Sequence, residues 1–125
     1  MKLKNILITV TDVKRSILFY KELFGLDIIV DNGGNVILTE GLVLQDRVLW
    51  EQATGIKAIP NNNASLLYFE ERDMDAFAKK LNQYEETNNT PIVYLSQLMQ
   101  TVSGRKVLRF YDPDGNLIEV GSPWR

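Results

Sequence analysis

Cysteine and histidine are both missing from this 125-residue sequence. Without cysteine there is no disulfide, no thiolate metal site and no thiol nucleophile. Without histidine there is no imidazole base, no Ser-His or Cys-His nucleophile pair, and none of the commonest transition-metal ligand. Basic runs and acidic tails are missing too: 14 basic and 16 acidic residues leave a formal charge of −2. Capture of nucleic acid or an anionic membrane is therefore not indicated, and small molecules or other protein chains are the expected partners. No apolar run reaches membrane-spanning length. The opening Met1-Lys2-Leu3-Lys4-Asn5-Ile6 passes into a strand pattern without the apolar stretch of a signal peptide, so a cytoplasmic location is expected.

What is present suffices for one hydrophobic core. With 45% hydrophobic residues the chain is long enough for a single globular domain and too short for two ordinary independent ones. Alternation of Ile6, Ile8 and Val10 with Leu7 and Thr9 predicts a strand over Lys2 to Val10. Thr11 or Asp12 can cap the helix that follows. Val13, Ile17, Tyr20 and Phe24 recur at helical spacing up to Gly25, a residue suited to a left-handed helix end. Strands are expected over Leu26 to Val30, Asn35 to Glu40 and Leu42 to Gln45, then a short helix over Arg47 to Thr54. Gly55 to Asn63 reads as a connector.

After the connector the pattern starts again. Leu66 to Glu70 reads as a strand, Asp73 caps a helix through Met74, Phe77, Ala78 and Leu81, and Asn88-Asn89-Thr90 closes it. Strands follow over Ile92 to Leu95, Arg105 to Tyr111 and Asn116 to Val120, with Ser96 to Thr101 left unassigned. Asp112-Pro113-Asp114-Gly115 is a strong turn signal, because Pro113 presets φ, the aspartates accept from following amides and Gly115 supplies φ > 0. Beyond it, Glu119 shares a strand face with Leu117 and sits among apolar neighbours.

The order of elements thus repeats as two β-α-β-β-β modules, about 1–55 and about 64–121. Three stretches carry a family resemblance: Ile8 to Tyr20 with Leu23-Phe24-Gly25-Leu26, Tyr68-Phe69-Glu70 with Asp73 to Phe77, and Arg109 to Gly121. In these the chain resembles the vicinal oxygen chelate superfamily of glyoxalases, bleomycin-resistance proteins and extradiol dioxygenases. The resemblance implies an α+β fold of two tandem βαβββ modules forming a cup-shaped, partly open β-barrel with helices outside.

It also implies where a metal would be held. The first-strand ligand position falls on Asn5, and the position opening the second module falls on Leu66, or on Ser65 if the register slips by one. The last-strand glutamate is Glu119, and a fourth position falls nearest Gln45. One carboxylate, two amides and a leucine make a poor set for zinc, nickel or ferrous iron and an incomplete one for magnesium or manganese. No cofactor is expected on these grounds, a divalent metal being the alternative.

Strand parity turns Asn5, Leu7 and Thr9 toward the cup and Ile6, Ile8 and Val10 toward the helices. Leu66 and Tyr68 share one strand face in the second module. The expected ligand-binding set is Asn5, Leu7, Thr9, Gln45, Trp50, Leu66, Tyr68, Tyr94, Arg109 and Glu119, with Glu119 the sole catalytic candidate. Several have a plainer reading: Glu119 as the partner of a cation such as Arg109 or as an exposed strand end, Asn5 as a local hydrogen bonder, Gln45 as the polar end of a strand, the aromatics as core. Arg105, Lys106 and Arg109 are either an anion site or a solvated strand face.

Three functions fit. The first is a metal-independent small-molecule-binding protein of the bleomycin-resistance type, for which the resemblance implies a homodimer. The second is a metal-dependent lyase, isomerase or dioxygenase using Glu119. The third is a protein-interaction module whose cavity is filled by Trp50, Tyr68 and Leu66.

Overall fold

Three aspartates set the helix starts of this chain in the computed structural model, which describes residues 1–124. Asp12, Asp46 and Asp73 each accept a bond from the amide three residues on, at Arg15, Leu49 and Ala76, satisfying a donor that has no partner within the helix. The chain divides into two compact units, Met1–Ile59 and Pro60 onward.

In the first unit the order is β1 (Ile6–Val10), α1 (Val13–Phe24), β2 (Ile28–Asp31), β3 (Asn35–Leu38), β4 (Leu42–Asp46) and α2 (Arg47–Thr54). The sheet order is β1-β4-β3-β2, with β1 and β4 parallel and the other neighbours antiparallel. Helix α1 has the expected bounds, but its buried stripe is Ser16, Phe19, Tyr20 and Leu23, with Ile17 and Phe24 only half-buried. Phe19 meets Tyr20 edge-on and Tyr20 stacks on Phe24, which fixes the ring positions around that stripe. Beneath it lie Val10, Val36, Leu38 and Leu44, all fully buried.

Strand ends differ from expectation for local reasons. Ile6 already pairs with Leu42, the first residue of β4, so residues 2–5 have no strand opposite them. Leu26 belongs to the helix end instead of a strand. Its amide reaches back to the Tyr20 carbonyl while that of Gly25, at φ 68°, bonds Lys21, and the Leu26 side chain is buried as such an end requires. Past Leu38 the chain makes a 3₁₀ turn (Thr39–Gly41), where Glu40 and Gly41 both have positive φ and cannot continue β3. Ile6, expected to pack under the helices, is 53% exposed, because β1 is an edge strand and only its far end, at Val10, is covered.

Ser16 is fully buried on α1, and its hydroxyl has no hydrogen-bond partner among the described residues. A buried hydroxyl without a partner is a net cost, and alanine is the better helix former. Ser16→Ala is expected to stabilise the protein by about 1 kcal/mol in thermal or urea denaturation. A loss of stability would mean that the hydroxyl is bonded after all.

The second unit repeats the first strand for strand: β5 (Leu67–Glu70), α3 (Met74–Asn88), β6 (Val93–Gln100), β7 (Lys106–Tyr111) and β8 (Leu117–Gly121). Its order is β5-β8-β7-β6, again with the first and last strands parallel. Residues 96–100, unassigned from sequence, continue β6. Register shifts between Tyr94 and Ser96 and between Ser96 and Met99 break the simple alternation there. Phe110, Ile118, Val120 and Leu108 form the core face with Phe77, Met74 and Leu81 of α3. The strands thus form two open four-stranded sheets, and among the described residues no ladder joins them into a closed barrel.

The Asp112 turn is built as its residues suggest. One carboxylate oxygen of Asp112 accepts from the amides of Asp114 and Asn116, each at 2.9 Å, and the other from the Asn116 side chain at 2.9 Å. Gly115, at φ 80°, leaves room for the connector, whose Asn61 amide bonds the Gly115 carbonyl at 3.0 Å.

Candidate functional site

Pairing register decides which side chains share a face. In the first sheet Thr9, Gln45 and Asn35 lie side by side across β1, β4 and β3, on the face turned away from α1. Asn35 donates to the Gln45 side-chain oxygen at 2.8 Å, and the Gln45 amide donates to the Asp46 carbonyl at 3.2 Å. Leu7, 51% exposed, shares that face one row away with Val43 and Ile37. Asn5 stands just ahead of β1, and its side-chain amide donates to the Gly41 carbonyl at 3.2 Å. Trp50 is on α2, half-buried. Glu51 on the same helix accepts from the Ala58 amide at 2.9 Å. That bond, with Lys57 and Arg47 nearby, holds its carboxyl below the usual range against a smaller opposing effect of burial.

In the second sheet a polar row crosses all four strands: Tyr68 on β5, Glu119 on β8, Arg109 on β7 and Ser96 on β6. Arg109 Nε lies 2.7 Å from Glu119 Oε1, and its Nη1 donates to Ser96 Oγ at 3.3 Å. Both members of the pair are largely covered, with side chains 32% and 18% exposed, so the bond is less screened than a surface ion pair. Tyr68 and, just before β5, Leu66 are each 44% exposed.

Tyr94 does not join this row. Its register partner is Phe110, on the helix-covered face, where the two rings lie 6.3 Å apart, and burial followed by the charge of Glu85 raises its hydroxyl pKa. The intervening register shift puts Ser96 beside Arg109, a placement that alternation alone does not supply. Asn35 was equally hidden, since its place at the start of an expected strand does not say that it stands opposite Gln45.

The side chains at the implied ligand positions suit a divalent cation poorly. Leu66 has no donor atom, the Gln45 oxygen already accepts from Asn35, and Asn5, whose side-chain nitrogen donates to the Gly41 carbonyl, offers only a neutral amide oxygen. Glu119, the one carboxylate of the set, faces a guanidinium whose charge opposes a metal ion.

Two sheets of identical strand order, each crossed by a helix from an aspartate cap, define a duplicated βαβββ fold. A glyoxalase-like domain matches residues 3–125, and the chain belongs to that family, within the vicinal oxygen chelate superfamily. The chain is similar to a crystal structure of a protein of unknown function from Agrobacterium tumefaciens str. C58. The identity is 31%, with 99% of this chain and 95% of that one covered and a TM-score of 0.79. The fold is also that of a genomically encoded fosfomycin resistance protein from Listeria monocytogenes (13% identity, 99% and 94% covered, TM-score 0.75). A lactoylglutathione lyase from Agrobacterium tumefaciens shares it as well (21% identity, 97% and 92% covered, TM-score 0.70). No curated protein matches the chain.

Proposed function

We propose that this chain is a small-molecule-binding protein of the glyoxalase and bleomycin-resistance type, working without a metal ion at Glu119. The observation that carries this reading is the 2.7 Å bond from Arg109 to Glu119. In a metal-dependent relative the last-strand carboxylate serves the cation; here its charge is already answered by a side chain on the adjacent strand. The row then offers a ligand a phenol, a guanidinium edge, a carboxylate and a hydroxyl in line, beside the apolar Leu66 and Met99. Such a surface suits a small, partly planar molecule carrying both donors and acceptors. Because Leu66 and Tyr68 keep 44% of their surface exposed, they are available to a ligand, which favours binding over a filled interaction module.

The same reading takes the active form to be a cytoplasmic homodimer. β2 is an edge strand whose Ile28, Ile29 and Val30 are all exposed, an apolar edge that a second copy would cover. No helix among the described residues is long and apolar enough to cross a membrane.

Dialysis of the full chain against nickel, zinc, manganese and ferrous iron, followed by metal analysis, tests the reading. Substoichiometric uptake that Glu119→Gln leaves unchanged is expected. Stoichiometric metal that disappears in Glu119→Gln, with lyase, isomerase or dioxygenase activity dependent on it, would instead establish the metal-dependent alternative. Arg109→Ala is expected to cost about 2 kcal/mol in urea denaturation, between the values for exposed and buried pairs. No change in stability would mean that the pair is not formed in solution.

A further inference from the structure

The three cations of the β7 segment have separate fates. Lys106 pairs with Asp75 at 3.0 Å and Arg109 with Glu119 at 2.7 Å, whereas among the described residues Arg105 makes its contacts with neutral groups. Its Nε donates to the Ser122 carbonyl at 3.0 Å, its Nη2 bonds the Tyr68 hydroxyl, and its guanidinium lies 4.0 Å from the centre of the Trp124 ring. A planar cation gripped on one edge and one face is pre-oriented while its charge stays uncompensated. It opens onto a pocket of about 510 Å³, a volume suited to a small ligand, that Arg72 also lines. The serines Ser103 and Ser122 add hydroxyls to the wall, and among the described residues no carboxylate lines it. Glu70, the register partner of Gly121, is exposed and is not part of the wall.

Gly121 supports the same assignment. Its φ is not positive, so glycine is not needed there for backbone reasons, yet a Cβ would lie 2.6 Å from Arg105 Nη2 and 2.8 Å from the Tyr68 hydroxyl. The missing side chain is the space in which the Arg105 and Tyr68 contact is made.

We propose that the pocket between Arg72, Arg105 and Trp124 is a binding site for a doubly charged oxyanion of phosphate type carried by a small molecule. Two guanidinium groups on a wall whose described lining holds no carboxylate match a dianion in charge, although Glu71 and Asp73 flank Arg72 in sequence, and guanidinium forks match its oxygens in geometry. The site stands apart from the metal question at Glu119, so either reading can fail without the other.

The probe is inorganic phosphate, titrated into the full chain at constant ionic strength and followed by NMR at the indole N–H groups of its two tryptophans. The Trp124 signal is expected to shift saturably while that of Trp50, in the other unit, stays still. Arg105→Gln and Arg72→Gln should each weaken phosphate at least tenfold with the rest of the spectrum unchanged, and Gly121→Ala should do so by displacing Arg105. The exposed Arg72 makes the second variant safe for folding. A linear response, equal shifts at both indoles, or unchanged affinity in both arginine variants would overturn the proposal. Acetate binding as tightly as phosphate would overturn the assignment to a dianion.

Discussion

Phe110→Ala is expected to cost about 4 kcal/mol, the largest effect of any single substitution considered, and to leave much of the protein unfolded near 37 °C. Phe110 is fully buried near the end of β7, with Tyr94 and Ile118 as its cross-strand partners and the Phe77 ring of α3 6.3 Å away. Truncation removes the transfer energy of the ring, opens a cavity among side chains anchored on rigid strands, and deletes two aromatic contacts at once. Urea denaturation followed by far-UV circular dichroism measures it. Phe110→Leu, which keeps most of the volume, should cost about 1.5 kcal/mol or less. Equal losses for the two variants would show that shape at this position matters more than volume.

Asp112→Ala is expected to cost about 3 kcal/mol, a large effect for a turn residue. Most turn substitutions act on solvated groups, but Asp112 is 3% exposed and one carboxylate serves three donors. Alanine would leave the Asp114 and Asn116 amides of a part-buried turn without their acceptor, and the turn also anchors the connector through Gly115. Asp112→Asn keeps one acceptor oxygen and should fall between alanine and the parent. A cost under about 1 kcal/mol for Asp112→Ala would mean that water replaces the carboxylate freely.

The same turn explains why part of the site was legible in the sequence. Once Asp112-Pro113-Asp114-Gly115 is taken as the turn, counting outward along the hairpin pairs Tyr111 with Leu117, Phe110 with Ile118 and Arg109 with Glu119. The ion pair was therefore among the readings open for Glu119. Helix starts and ends were legible for a similar reason, because Asp12, Gly25, Asp73 and Asn89 act on amides and carbonyls within a turn of themselves. Parallel pairing has no such local signal. That Tyr68 stands beside Glu119 depends on β5 meeting a strand remote in sequence, and that Ser96 stands beside Arg109 depends on a register shift within β6. Arg105 and Trp124 were missed as a pair because their contact depends on chain folding back beyond β8.

The strand orders β1-β4-β3-β2 and β5-β8-β7-β6 also bear on how fast each unit can assemble. In both, the strand synthesised last lies inside the sheet and the one synthesised first becomes an edge by parallel pairing. The hairpins β3–β4 and β7–β8 close short loops, while docking β1 or β5 orders a long intervening segment before any of its contacts repay that entropy. Docking of the parallel strand is thus the non-local step in each unit. Defects in the Asp112 turn fall on the local step, and weakened contacts on β5 fall on the step that follows it.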